Sequence, residues 1–475
     1  MRIQEWPNSG KRIIDELNGQ DLSYDRSQYS GLITPASVVL EAGTSQRLHN
    51  DIPVVWDWFR QWRAIYRELL EGDDGTNEIL QASEWGLDPT ALEFQRESTR
   101  REEDPLLGRI DSVSLGVRQQ IAEVQWKGGG EGFIAAIDAT YRRLFPLEGG
   151  TESLGNLADN WGRVLRSANS QSEGPVHILN TGRNLWKEGE GFLAQELASQ
   201  GVQWSFLPPE EVASHLRLQD GRVYLQIEGG LHPLDFIYLD RLSEVIPQEM
   251  MAELCRIALD GNIRIDPPSS YLFNQKIGLA LPFMTEYKER FSDRIREILI
   301  PSVLVLGDEP DCTPIIPALS HSKRDLVGDL RTWDDLLKLP RSLREQLVFK
   351  CASTHQHDNH GGHGVWRLWG SESVAKRSLD EILNRARVQK EPWILQPYVN
   401  TTWDVPFVHP EKPEEVQRIQ AHARFGIYCG HSEETPYLLG GIATFSPFWK
   451  VAGKTAGHDK DGKLTGSAFT DIRIE

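Results

Sequence analysis

The sequence predicts a mixed α/β (α+β) chain, and three observations carry that expectation. A hairpin with one chemically dense face occupies Leu106–Ile134. Short apolar β-runs alternate with helical patterns between Val176 and Asp266, as in a sheet with helices packed on it. A lysine-bearing strand, a glycine-rich loop and an apolar strand then follow one another from Leu347 to Val399. At 475 residues the chain is long enough for two or three domains with cores of their own.

In chain order, residues 1–50 are polar and turn-rich, with one short apolar run at Ile33–Leu40. Asp51–Leu70 has apolar residues at helical spacing, and its dense Trp and Phe read as core. The hairpin comes next, then a helix from Phe133 to Leu144. Two Gly/Ser-rich patches between Glu148 and Gly174 mark a boundary. Val176–Asn180, Val202–Leu207, Arg222–Ile227 and Phe236–Leu239 read as strands, and Gly189–Gln200 as a helix capped by Gly201. Ser269–Phe283 reads as a helix carrying Lys276 near its start, Lys376–Ala386 as another. Pro392–Val399 reads as a buried strand, and Arg424–Cys429 with Tyr437–Phe445 as a closing pair. The expected division is 1–150, an N-terminal helical region plus the hairpin; 171–268, the α/β unit; and 269–475, the lysine and glycine region.

Composition excludes several classes. Apolar residues at 39% and charged residues at 25% can build a core, unlike a disordered chain. A formal charge of -18, from 51 Lys and Arg against 69 Asp and Glu, excludes a general nucleic-acid or anionic-membrane binder but allows a local basic pocket. No apolar run reaches the ~18 residues of a membrane span, and the N-terminus lacks the apolar core of a signal peptide. Cys255, Cys312, Cys351 and Cys429 are scattered without a CxxC pair, the pattern of reduced thiols in a cytoplasmic protein.

The hairpin carries the chemistry. Asp111 and Glu123 are equidistant from Val117, so a loop of Gly116–Arg118 places them directly opposite, with Arg109 opposite Gln125. Residues two apart share a strand face, so all four project from one side. Opposed Cβ atoms are about 5 Å apart, close enough for two carboxylates to share a divalent cation, with the amide oxygen of Gln125 as a third hard ligand. The same residue types also describe a solvated ribbon with a cross-strand salt bridge. Downstream, Lys276 and Lys350 can neutralise phosphate oxygens. Gly361, Gly362 and Gly364 let backbone N–H groups approach them, and Trp393–Gln396 can present groups to a base edge. A surface loop between two strands gives the same pattern. The histidines His355, His357, His360 and His363, with Asp358, also raise a transition-metal site, a phosphate-contacting loop or a solvated loop.

The order of these motifs resembles the glutathionylspermidine synthase-like, circularly permuted ATP-grasp family. There an R-x-D, a twelve-residue spacing, an E-x-N and a small-residue loop precede the nucleotide lysines. The matching residues are Arg109, Asp111, Glu123 and Gln125, then Asn274 and Lys276 in DPPSSYLFNQK, then Lys350, Gly361–Gly364 and Gln396. The resemblance spans roughly residues 105–450 and implies an ATP-grasp fold with a preATP-grasp α/β domain. It implies an ATP- and Mg2+-dependent carboxylate–amine ligase working through an acyl phosphate. Asp111, Glu123 and Gln125 would hold Mg2+, Lys276 and Lys350 the α- and β-phosphates, and Arg109 the moving phosphoryl group. The partners implied are a small-molecule carboxylic acid and an amine. Departures are Gln125 for Asn, Ala443 where the family's closing strand has Arg, with Arg424 as a substitute, and an insertion around Pro301–Leu347. They motivate a second expectation, a degenerate ATP-grasp protein that binds nucleotide or a partner without ligating. A third is an unrelated metal-binding or interaction protein built on the histidine loop.

Overall fold

The computed structural model describes residues 1–20, 32–72, 77–116, 118–126, 130–145, 152–169, 174–182, 189–227, 229–239, 246–268, 272, 274–306, 332–353, 364–432, 435–448, 457–458 and 464–475. Among them, the largest element is a ten-stranded mixed sheet. One arm of it runs Thr402–His409, Lys412–Ser432, Leu107–Ser114, Gln120–Gln125. The strand Thr435–Ser446 pairs with both Lys412–Ser432 and Ala468–Ile474, which folds the sheet back on itself. Residues 1–50 show little periodicity, yet Ala36–Leu40 is fully buried there, antiparallel to Arg2–Glu5 and parallel to Ala468–Ile474. Pairing with Ala468–Ile474 leaves no local pattern, because that partner is hundreds of residues away.

One face of the large sheet packs on the helix Ala42–Gly72, whose Trp56, Trp58, Phe59 and Trp62 are buried. Trp56 and Phe59 stand 4.6 and 4.7 Å from Trp126, centroid to centroid. Gly108 makes room for that indole: a Cβ there would lie 2.9 Å from Trp126 Cε3. The dense aromatics of this segment are therefore core, as their spacing predicts. Helices Glu131–Leu144, Leu157–Ser167 and Glu190–Ala198 share a second core with a four-stranded parallel sheet. That sheet is ordered Arg264–Asp266, Phe236–Leu239, Val176–Thr181, Val202–Leu207.

A smaller antiparallel sheet, ordered Val303–Leu304, Trp393–Pro397, Leu347–Cys351, Val365–Arg367, completes the frame. Phe349, Trp393 and Leu395 turn back onto the helix Glu372–Arg387. By alternation, Lys350 and Gln396 share the opposite face. The segment around Lys276 is not the continuous helix expected. It forms two short 3-10 turns, Ile277–Leu279 and Leu281–Phe283, with Lys276 at the N-cap of the first. Trp58 Nε1 takes the Gly278 carbonyl at 2.8 Å and Lys276 N donates to Ala352 O at 3.0 Å, so these backbone groups serve tertiary contacts instead of a helical ladder.

Candidate active site

The hairpin strands Leu107–Ser114 and Gln120–Gln125 pair with Asp111 opposite Glu123 and Arg109 opposite Gln125, the register the spacing predicts. The connection is longer than the three-residue loop expected. Strand pairing stops at Ser114 and resumes at Gln120, with register shifts on either side of Ser112. The buried Gln119 folds back and donates Nε2 to Ser112 Oγ at 2.8 Å, which stitches the irregular turn; Val117 lies outside the described residues.

On the site face, six side chains form one continuous chain of contacts. Arg109 donates Nε and Nη2 to Asp111 Oδ1 and Oδ2, at 2.7 and 3.0 Å. The same Nη2 donates to Gln125 Oε1 at 2.6 Å. Gln125 Nε2 donates to Glu123 Oε1 at 3.1 Å, and Lys276 Nζ sits 3.0 Å from that oxygen. At the other end, Arg424 Nη1 stands 3.6 Å from Asp111 Oδ2. Lys350 Nζ donates to the Ala122 carbonyl at 3.2 Å, so the second lysine reaches the hairpin from the smaller sheet. Asn274 Oδ1 accepts from Trp126 N at 3.0 Å and anchors the Lys276 segment to the end of the hairpin.

The electrostatics follow from this packing. Burial alone raises the Glu123 carboxyl, but Lys276 and Lys350, with hydrogen bonds from Gln125 and Lys276, hold it down at about 2. Burial pushes the Lys350 ammonium down to about 8; Glu123 opposes that fall and Lys276 adds to it. Burial also weakens the Arg109 charge, and the Asp111 carboxylate more than restores it, so the guanidinium is held protonated. Four cations (Arg109, Lys276, Lys350, Arg424) against two carboxylates (Asp111, Glu123) leave two positive charges in excess.

Two positions that sequence reasoning missed shape the floor. Gly426 pairs with Asp111, and a Cβ there would lie 3.3 Å from Arg109 Cδ, so the bare glycine lets the guanidinium chain lie flat. Tyr428 pairs with Arg109, and burial, offset in part by Arg109, pushes its phenol up to about 12. The signal for both is the period-2 run of Arg424, Gly426 and Tyr428 on one strand face. Arg424 pairs with Thr444, whereas Ala443 pairs with Phe425 in the core behind the sheet. At the end of the glycine loop, Gly364 O accepts from Cys351 N at 2.7 Å. Gly361, Gly362 and the four histidines lie outside the described residues.

Gln396 pairs with Val348, is 1% exposed and donates Nε2 to Ser302 Oγ at 2.7 Å, while its Oε1 has no partner among the described residues. Beyond it the two sheet faces open into a groove of about 490 Å³. Its walls include Arg367, Trp369, Tyr398, Asn400 and His422. The Arg367 guanidinium lies over the Tyr398 ring at 4.1 Å and the Trp369 ring at 4.6 Å. Tyr398 Oη and His422 Nδ1 are 3.1 Å apart. Tyr398 is two residues past Gln396 and His422 two before Arg424, so the groove continues both site faces. Sequence reasoning missed it because its walls come from five separated segments.

As a metal centre, Asp111 and Glu123 offer hard oxygens on opposed strands, which suits Mg2+. Among the described residues no three His, Cys, Asp or Glu converge on one point. Mg2+ bound by two carboxylates takes its remaining ligands from water and phosphate.

Against known proteins, no family model and no curated sequence matches the chain. Among solved structures it resembles a glutathione synthetase-like effector from Globodera pallida in its apo form, with a TM-score of 0.57 at 11% identity over 99% of this chain and 98% of that one. A putative gamma-glutamylcysteine synthetase from Methylobacillus flagellatus aligns at TM-score 0.39 and 14% identity, covering 85% and 86%. A macrocyclase from Microcystis aeruginosa, bound with its precursor peptide, aligns at 0.26 and 9%, covering 62% and 90%. Nearly the whole chain therefore shares the mixed α/β fold of the glutathione synthetase-like effector.

Proposed function

We propose that the chain is an ATP- and Mg2+-dependent carboxylate–amine ligase, similar in chemistry to glutathionylspermidine synthase. The observation that carries this reading is the linked cluster Arg424–Asp111–Arg109–Gln125–Glu123–Lys276, with Lys350 beside it. Its excess of two positive charges is balanced by the two negative charges of ATP complexed with Mg2+, so the complex would leave the part-buried cluster neutral. In a low-dielectric cleft that match favours a metal–polyphosphate over either component alone.

Asp111 and Glu123 would hold Mg2+, which supplies neutralisation of the charge developing on the phosphates. Lys276 and Lys350 would sit on the inner phosphates. Arg109, fixed over Gly426, would lie along the γ-phosphoryl group as the substrate carboxylate attacks phosphorus and ADP departs. An amine then attacks the acyl carbon, and phosphate leaves with loss of an amine proton. The groove fits the base. From Gly426, opposite Asp111, to His422 is four residues, about 14 Å at strand spacing, matching the reach from terminal phosphate to base in a nucleotide. The Tyr398 and Trp369 rings, which already hold the planar Arg367 guanidinium, suit a planar heterocycle. In this reading residues 171–268 form the preATP-grasp-like unit and 269–475 the nucleotide-binding region, with the hairpin of 1–150 completing the site.

Calorimetric titration with ATP and Mg2+ tests the proposal, with Glu123→Ala and Lys350→Ala as controls. Binding by the unsubstituted protein and its loss in both variants is expected; no binding refutes the reading. A nucleotide-binding protein without ligase activity is the second reading, favoured by the capture of Gln125 Oε1 by Arg109. ADP release with candidate acids and amines separates the two.

A further inference from the structure

We propose that Gln125 is a positioning residue that ties Arg109 to Glu123, and not a ligand of the metal. The proposal deepens the nucleotide reading and rests on it for its functional consequence. The amide oxygen faces the guanidinium at 2.6 Å, and the amide nitrogen faces the carboxylate at 3.1 Å. Arg109 lies directly across the hairpin and Glu123 two residues back on the same strand, so one amide spans two neighbours on a single sheet face. Without that amide the cluster separates into two ion groups, Arg424–Asp111–Arg109 and Glu123–Lys276–Lys350. Between them there remains the longer-range attraction of Arg109 for Glu123 and of Lys350 for Asp111. The bridge makes chemical sense of the glutamine. An asparagine is shorter by one C–C bond, about 1.5 Å, and its oxygen would retract towards the strand, where it suits a metal held between Asp111 and Glu123. The longer side chain carries the oxygen past that point to Arg109. The donor–acceptor order is also directional: the amide oxygen accepts from Arg109 while the amide nitrogen donates to Glu123.

The consequence is that the cations and the carboxylates of this site are set as one unit. Arg109 is aimed by Gln125 from one side and by Asp111 from the other, and Glu123 is held towards Lys276. A change at position 125 should therefore disturb phosphate binding whether or not a metal is present.

The test compares Gln125→Asn, Gln125→Ala and Gln125→Glu with the unsubstituted protein. Each is titrated calorimetrically with ATP plus Mg2+ and, separately, with tripolyphosphate in EDTA. Gln125→Asn and Gln125→Ala lose both hydrogen bonds to charged groups, and Gln125→Glu loses the donation to Glu123 and sets two carboxylates side by side, so a fall of about tenfold or more is expected in both titrations for all three variants. A metal ligand predicts the opposite pattern: Gln125→Asn and Gln125→Glu keep or gain affinity, and Gln125→Ala loses it only with Mg2+. That pattern, or no change in any variant, overturns the proposal. If the unsubstituted protein binds neither ligand, the nucleotide reading falls, and the bridge is decided in ligand-free protein. Denaturation midpoints of Arg109→Lys, Glu123→Gln and the double variant should be non-additive with Gln125 and additive in a Gln125→Ala background. Non-additivity that survives Gln125→Ala would remove the bridge.

Discussion

Replacing Glu123 with glutamine should destabilise the protein in a pH-dependent way. The perturbation removes one part-buried negative charge and leaves Lys276 and Lys350 without it. The Glu123 carboxyl is held at about 2, against a usual value of 4.5. At 1.36 kcal/mol per unit, that shift corresponds to about 3 kcal/mol of stability at neutral pH. The sign is fixed by linkage: a depressed carboxyl pKa stabilises the fold above the unfolded value, and the contribution is lost as pH falls towards the folded value. Integrating between the two values leaves roughly half the contribution at pH 3. The assay is urea denaturation followed by tryptophan fluorescence, on both proteins, at pH 7.5 and pH 3. The gap between the two proteins should be widest at pH 7.5 and about halved at pH 3. A gap that is absent at pH 7.5, or equal at both values, would refute the buried-pair reasoning.

Further expectations concern ligand binding. With Lys350 pushed down to about 8, a phosphate ligand must restore its charge at pH 8.5. ATP binding there should take up a fraction of a proton, seen as a dependence of calorimetric heat on buffer ionisation. That uptake should shrink at pH 6.5, where the lysine is already protonated, and vanish in Lys350→Arg. Gly426→Ala adds a Cβ 3.3 Å from Arg109 Cδ, and should weaken ATP binding several-fold while shifting the denaturation midpoint little. Tyr398→Ala should cost about 1–3 kcal/mol of ATP binding through lost stacking and leave tripolyphosphate affinity unchanged. Equal loss for both ligands would place the base elsewhere.

The sequence by itself determined the local chemistry of the hairpin. Asp111 faces Glu123 and Arg109 faces Gln125 because side-chain alternation and a short connection leave one register that puts all four on one face. It also determined the strand–helix alternation of 176–266, since each β-run must bury an apolar side and each helix must cover it. The aromatic helix was equally legible over Asp51–Leu70, because helical spacing of Trp and Phe has one outcome in a large chain, burial; its first turns from Ala42, which lack that spacing, were not. Tertiary structure decided the rest. Lys276, Lys350 and Arg424 come from three elements far apart in sequence, and no local pattern brings their charges to Glu123 and Asp111. It converted the expected helix at Lys276 into 3-10 turns, because Trp58 and Ala352 claim backbone groups that a helix would have used. It recruited Gly426 and Tyr428 beneath Arg109 and opened the groove at Tyr398 and His422. The dividing line is physical. Propensity, turn geometry and side-chain period act over a few residues, whereas the burial of opposite charges against each other is settled only when distant strands meet.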